Sequence, residues 1–216
     1  MTPLPLGWRI APPPELLSTG IKDVDAALGG CPRGRITEIV GPPSSGRTSL
    51  LHSILAASTQ RGEFAVLVDT SDAFDPCSAS SAGVDLAKMI WIRCSGNAEH
   101  AMRAADLVIH SGGFGVVALD LVNATPNALN RIPPTAWFRF RRALESTPTV
   151  LAVLAGQPVT KSCSALLVEM KRRRAVFTGT PPFELLRGAE YDLLRRKPVS
   201  GERNGFLARG FWTETA

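Results

Sequence analysis

The 216 residues carry 24 Lys+Arg against 19 Asp+Glu, with 44% hydrophobic and 20% charged side chains. That balance suits one globular domain with a sizeable core, and the absence of any apolar run near the ~20 residues a bilayer requires excludes a spanning helix. The charge is uneven: residues 1–160 hold 13 groups of each sign, whereas residues 161–216 hold 11 basic and 6 acidic ones, so the whole net charge of +5 sits in the last quarter. A basic C-terminal face suits a polyanion or an acidic partner, and equally a solvated strand edge guarded by Lys and Arg.

From the N-terminus, Pro3, Pro5, Pro12, Pro13 and Pro14 surround Trp8. Proline fixes φ and removes backbone donors, so residues 1–17 read as an extended arm, neither signal peptide nor helix, able to lie along another surface with Trp8 as anchor. Ser18-Thr19-Gly20 followed by Ile21, Val24 and Leu28 at helical spacing, closed by Gly29-Gly30, predicts a short capped helix.

An apolar run, Ile36-Thr37-Glu38-Ile39-Val40, then feeds into Gly41-Pro42-Pro43-Ser44-Ser45-Gly46-Arg47-Thr48 and on into Leu50, Leu51, Ile54 and Leu55. This is strand, glycine loop and helix, and the loop matches G-x-x-x-x-G-K-[ST] at every fixed position except the lysine, which is Arg47. Gly41 and Gly46 let successive N–H groups turn inward, and the helix beginning near Arg47 adds its positive dipole end. Gly41, Ser44, Ser45, Gly46, Arg47, Thr48 and Ser49 are therefore the candidate nucleotide-binding residues. A lysine acts on phosphates as a compact point charge; a guanidinium is planar, bulkier and prefers bidentate geometry, so Arg47 keeps the charge and loses the fit.

Beyond the loop, Phe64–Asp69, Met89–Cys94, Gly115–Asp120 and Thr149–Gly156 read as buried strands, with a helix over Glu99–His110. Strands alternating with helices predict βαβ units and a parallel sheet. Four apolar residues ahead of Asp120 present that acid as the magnesium-holding carboxylate beside such a loop, so Thr48 and Asp120 are the candidate Mg2+ holders through a bound nucleotide. Residues 122–134 read as a polar, proline-containing loop. Trp137–Leu144 is a helix in which Arg139, Arg141 and Arg142 interleave with aromatics. That pattern suits nucleic acid, with arginines on phosphate and rings on bases, or a core-facing aromatic stripe with solvated arginines.

Ser164–Arg172 and Ala189–Lys197 predict two further strands, each closing in a basic cluster, the second an edge open to a partner's sheet. The expected limits are a domain over 18–197 and a basic, partly flexible tail over 198–216. Cys31, Cys77, Cys94 and Cys163 include no C-x-x-C pair, and His52, His100 and His110 are scattered, so reduced, mostly buried thiols and no metal-ligand cluster are expected.

Ser18-Thr19-Gly20, Asp25-Ala26-Ala27-Leu28-Gly29, Gly34-Arg35-Ile36, Glu38-Ile39, Gly41-Pro42, Ser44-Ser45-Gly46 and Thr48, continued by Asp69, Asp75-Pro76 and Gly83-Val84-Asp85, resemble in order and spacing the nucleotide-binding opening of the RecA recombinase family. The likeness covers roughly residues 18–172. It implies a RecA-like P-loop NTPase core of α/β class, a mostly parallel central sheet flanked by helices with extra antiparallel strands after it. It also implies ATP and Mg2+ as cofactors, single-stranded DNA as a ligand and a cytoplasmic location. By the same resemblance Gln157 matches the residue that couples nucleotide to DNA binding. Arg139, Arg141, Arg142, Lys161, Lys171, Arg172, Arg173 and Arg174 are the basic groups nearest the segments that carry DNA.

Three chemical positions depart from the family. Ser71 stands where a glutamate activates the attacking water, with Asp72 next door as the substitute base; Ser78 stands where a tyrosine stacks on adenine; and Arg47 replaces the lysine. That combination is similar to the ImuA group, short RecA-like proteins of bacterial mutagenesis cassettes, a likeness also carried by Val84-Asp85-Leu86 leading into Met89–Arg93, by Ser111-Gly112-Gly113 and by Glu190–Lys197. It implies a role in translesion synthesis during the SOS response to DNA damage. The implied partners are an ImuB-like Y-family polymerase-related protein, an error-prone polymerase and RecA. Three readings stay open: an accessory module with a degenerate nucleotide site and no or very weak ATPase activity; an active DNA-dependent ATPase, supported by Thr48, Asp120 and Gln157; and a switch that binds ATP without turnover.

Overall fold

The computed structural model describes residues 13–180, 182–198 and 205–211. The proline-rich arm up to residue 12, and residues 199–204 and 212–216 of the expected tail, lie outside the described residues.

The chain opens with β1 (Leu16–Leu17), which pairs with β2 (Cys31–Pro32) around α1 (Lys22–Leu28). Asp25 fastens this opening, accepting from Ser18 Oγ at 2.5 Å and Thr19 N at 2.7 Å, and Gly29 ends the helix in the left-handed conformation at φ 80. Then follow β3 (Ile36–Val40), α2 (Arg47–Gln60), β4 (Phe64–Asp69), α3 (Pro76–Ser81), β5 (Met89–Arg93), α4 (Ala98–Ser111), β6 (Phe114–Asp120), α5 (Pro126–Asn130), α6 (Pro134–Leu144), β7 (Val150–Ala155), β8 (Ser164–Thr180), β9 (Phe183–Lys197) and β10 (Gly205–Phe211).

Eight strands form one sheet in the order β10-β9-β8-β3-β7-β6-β4-β5. β8, β3, β7, β6, β4 and β5 run parallel; β9 alone of the eight is reversed, pairing antiparallel with both β8 and β10. On one face α2 sets Leu50, Leu51, Ile54 and Leu55 against Ile39, Leu67, Ala118 and Leu154. On the other, Met102 and Ile109 of α4 and Trp137, Phe140 and Leu144 of α6 cover Val66, Val68, Val117 and Leu119. Trp137 and Phe140 are buried, so these two rings of α6 serve the core, worth roughly 1.5–3 kcal/mol each for an apolar side chain of this size. Cys31, Cys94 and Cys163 are buried and Cys77 is exposed. Burial pushes the Cys31 thiol up to about 12. Among the described residues no helix is long and apolar enough to cross a membrane.

The connection from β7 to β8 uses no helix. Residues 156–163 cross the sheet face instead, held by the fully buried Glu38, which accepts from Val159 N at 2.5 Å, Thr160 N at 3.0 Å, Thr160 Oγ1 at 2.5 Å and Ser164 Oγ at 3.5 Å. A buried carboxylate surrounded by donors is stabilised by them, where an unpaired one would be costly.

The structure corrects two expectations. The loop over 122–134 contains α5, because Thr125 caps it, accepting from Ala128 N at 3.3 Å, and Pro126 is pre-set for the first turn. The strand expected as an edge over 190–197 is not one from Glu190 to Leu194, where β8 flanks it on one side and β10 on the other. β8 also continues to Thr180 and β9 begins at Phe183, so the two form one long hairpin, with register shifts at Arg172/Arg174 and Val176/Phe177. Glycines 205 and 210 dilute the strand signal of β10, whose pairing with β9 supplies what its composition does not.

Candidate nucleotide site

β3, β4, β6 and β7 all end on one edge, and the glycine loop leaves β3 there. Gly41 has φ 156, and a Cβ on it would lie 2.2 Å from the Met170 carbonyl oxygen, so β8 passes too close for any side chain. Gly46 adopts φ 88, and no side chain caps the start of α2. A Cβ at Gly46 would fall 2.8 Å from Cε1 of Tyr191, because the ring of this residue from β9 lies on the loop.

Arg47 is 6% exposed, and its Nη1 donates to the Ala155 carbonyl at the end of β7, at 2.7 Å. Burial pushes the pKa of this guanidinium down and Asp120 opposes the fall. Asp120 accepts from Val122 N at 2.9 Å; burial raises its pKa, Asp69 adds to the rise and Arg47 opposes it. Asp69 is buried beside it in register, and accepts from Ser71 N at 3.1 Å, Phe74 N at 2.9 Å and Trp91 Nε1 at 3.2 Å, so it ties down the segment after β4.

A cavity of about 230 Å³ lies between Ser44–Ser49 and the hairpin residues Arg172, Ala175, Leu186, Gly188, Ala189 and Tyr191. That is below the usual range of ligand pockets, about 300–1,000 Å³. Ser45 Oγ, buried in this wall, has no hydrogen-bond partner among the described residues.

The RecA N-terminal domain family matches residues 4–130. This chain belongs to that family. The RecA-family chain is 37% identical over 121 residues to Protein RecA of Kineococcus radiotolerans, covering 55% of this chain and 34% of the relative, and 41% identical over 117 residues to Protein RecA of Methylococcus capsulatus, covering 53% and 33%. It thus spans about a third of the length of these curated relatives. Among solved structures it is similar to the RadB recombinase, with TM-score 0.67 and 17% identity over 92% of this chain and 96% of that one, a likeness of fold.

Against that family background the altered positions have defined places. Ser71 Oγ accepts from Asn123 Nδ2 at 3.1 Å. Asp72, at φ 58, is committed to Arg93 Nη2 and Ser95 N, each at 3.2 Å. Ser78 lies inside α3, its Oγ donating to the cap residue Asp75 at 2.5 Å. Gln157 is exposed two residues past Ala155, so Arg47 ties the glycine loop to the base of the segment carrying it. Thr48 and Asp120 are the groups that would hold Mg2+; among the described residues no set of three His, Cys, Asp or Glu gathers for a metal.

The eight basic candidates do not form one surface. Arg139 pairs with Asp106 at 2.9 Å and Arg141 with Glu145 at 3.3 Å. Arg139 and Arg142 border a cavity with Gly112 and Thr147, which precede β6 and β7, at the sheet edge opposite the glycine loop. Lys161 sits in the crossover, where its carbonyl accepts from Lys197 Nζ. Lys171, Arg172, Arg173 and Arg174 lie on the hairpin, Arg174 paired with Glu190 at 2.8 Å and Arg172 lining the loop cavity. Sequence reasoning missed Tyr191 and Arg172 as parts of the site. The one signal available was that Tyr191 is the chain's only tyrosine.

Proposed function

We propose that this RecA-family chain is an accessory protein of the ImuA type. It acts in damage-induced translesion synthesis by joining other proteins, with a nucleotide site that no longer turns over. The observation that carries the reading is Arg47: the side chain in the lysine position is spent on the Ala155 carbonyl, inside the fold. A serine held by Asn123 in place of a general base agrees with it, and Asp72 is occupied by Arg93 and Ser95. The partners proposed are an ImuB-like Y-family-related protein, an error-prone polymerase and RecA, with single-stranded DNA as a salt-sensitive, sequence-blind ligand.

A second reading, a switch that binds ATP without turnover, is favoured by the preserved glycine loop with Thr48 and Asp120. Titration with a fluorescent ATP analogue, followed by phosphate release with and without single-stranded DNA, separates these readings. The accessory reading expects neither signal, the switch expects binding alone, and turnover stimulated by DNA restores the recombinase-type ATPase and overturns both.

A further inference from the structure

Beyond Glu169, β8 outruns β3 and continues past Gly41 with β9 as its strand neighbour, while β10 covers β9 from Gly188 to Leu194. Among the described residues no strand flanks β8 from Lys171 to Phe177 on its β3 side. The hairpin end beyond the sheet is apolar: Phe177 is 53% exposed, Phe183 83%, Leu185 66% and Leu186 53%. Phe177 and Leu186 are register partners on the face that carries Ala175, Ala189 and Tyr191 toward the loop; Phe183 and Leu185 alternate onto the other. An exposed apolar hairpin with an open edge is a liability unless something covers it.

We propose that this hairpin is a docking strand for a protein segment rich in acidic and aliphatic residues, which adds along the open edge of β8. Charge selects the occupant. Lys171, Arg172 and Arg173 stand exposed at the base of the open edge and form no ion pair among the described residues, whereas Arg174 is already neutralised by Glu190. Leu185 and Leu186 offer nothing to a phosphate backbone, whereas Phe177 and Phe183 are rings on which bases can stack, so a single-stranded oligonucleotide is the competing occupant that the test excludes. A second copy carries the same uncompensated basic run and brings no acidic complement to it. Main-chain pairing would supply affinity, and alternate side chains would fit the Phe177–Leu186 face and the arginines.

The proposal rests on the reading of the chain as a joining module, and its test is separate. The full chain is titrated by fluorescence anisotropy with labelled peptides of about ten residues, the length of one strand. One alternates Leu and Glu, a second replaces Glu by Lys, and a third carries a central Pro; a single-stranded oligonucleotide is the fourth probe. The Leu/Glu peptide should bind, weaken with salt, and lose about tenfold or more with Lys, with Pro, with Leu186→Ser and with Arg172→Glu/Arg173→Glu, about 1.4 kcal/mol for each tenfold. These residues are exposed, so thermal unfolding of the variants should match the parent. No binding of the Leu/Glu peptide, equal binding of the Lys peptide, an oligonucleotide losing affinity through Leu186→Ser, or light scattering showing a dimer that Leu186→Ser dissociates would each overturn the proposal. Nucleotide turnover by the intact chain would remove the joining reading alone, and peptide failure would remove the hairpin alone.

Discussion

The parallel strands between Ile36 and Ala155 and the hairpin between Ser164 and Lys197 belong to one sheet yet obey different rules. Of the first, β3, β4, β6 and β7 are covered on both faces by α2, α4 and α6 and are buried along almost all their length, while β5 at the edge is only part-buried. The second begins in the same core, at Ser164–Met170, and then leaves it, exposing side chains on both faces. The core keeps the glycines and acids of a phosphate site. The hairpin decides how that site is covered, through Tyr191 on Gly46 and Arg172 beside the loop. A retained motif is therefore a statement about backbone geometry, and the chemistry it supports depends on elements far along the chain.

The contrast is open to measurement. Phe140→Ala, inside the sealed region, should cost about 3–5 kcal/mol in urea unfolding, because a cavity replaces a fully buried ring. Leu185→Ser at the hairpin end should stay within about 0.5 kcal/mol. Equal losses would mean that the two regions share one packed core.

Glu38→Ala should follow in size. It strips the acceptor from two backbone N–H groups and two hydroxyls, at about 1–3 kcal/mol for each buried group left unmatched, so a drop of several kcal/mol is expected, with faster proteolysis in residues 156–163.

Gly46→Ala tests the contact between the regions. The left-handed backbone alone costs about 1–2 kcal/mol, and the Tyr191 ring adds a clash, so the loss should shrink when Tyr191→Ala is present; strict additivity in a double-mutant cycle would show that the ring does not press on the loop. Arg47→Lys should cost about 1.5–3 kcal/mol through the lost bond to Ala155, in the same denaturation assay.

The smallest effect concerns pH. Asp120 has its folded pKa raised above 3.8, so the folded state holds that proton more tightly than the unfolded one. Its contribution is fully present below 3.8 and is lost as pH rises through the raised value. Asp120→Asn should flatten the stability profile across that window, and an unchanged slope would mean that another group produces it.

The sequence by itself determined the parallel core and the glycine loop, because continuous apolar runs of strand length and the spacing from Gly41 to Thr48 are local patterns that burial on both faces and backbone geometry demand directly. It also marked Ser71, Ser78 and Arg47 as chemically altered, since a missing base or lysine is visible one residue at a time. It did not show where Arg47 goes, because an arginine beside a phosphate loop has the same letter whether it faces phosphate or the Ala155 carbonyl more than 100 residues away. The length of the hairpin was equally hidden: Lys171–Arg174 and the turn residues break the apolar pattern, and only pairing between β8, β9 and β10 holds those segments extended. Tertiary structure also separated the arginines of α6 from those of β8, since neighbours on a list of basic residues are set at opposite edges of a sheet by the direction in which each strand and helix runs.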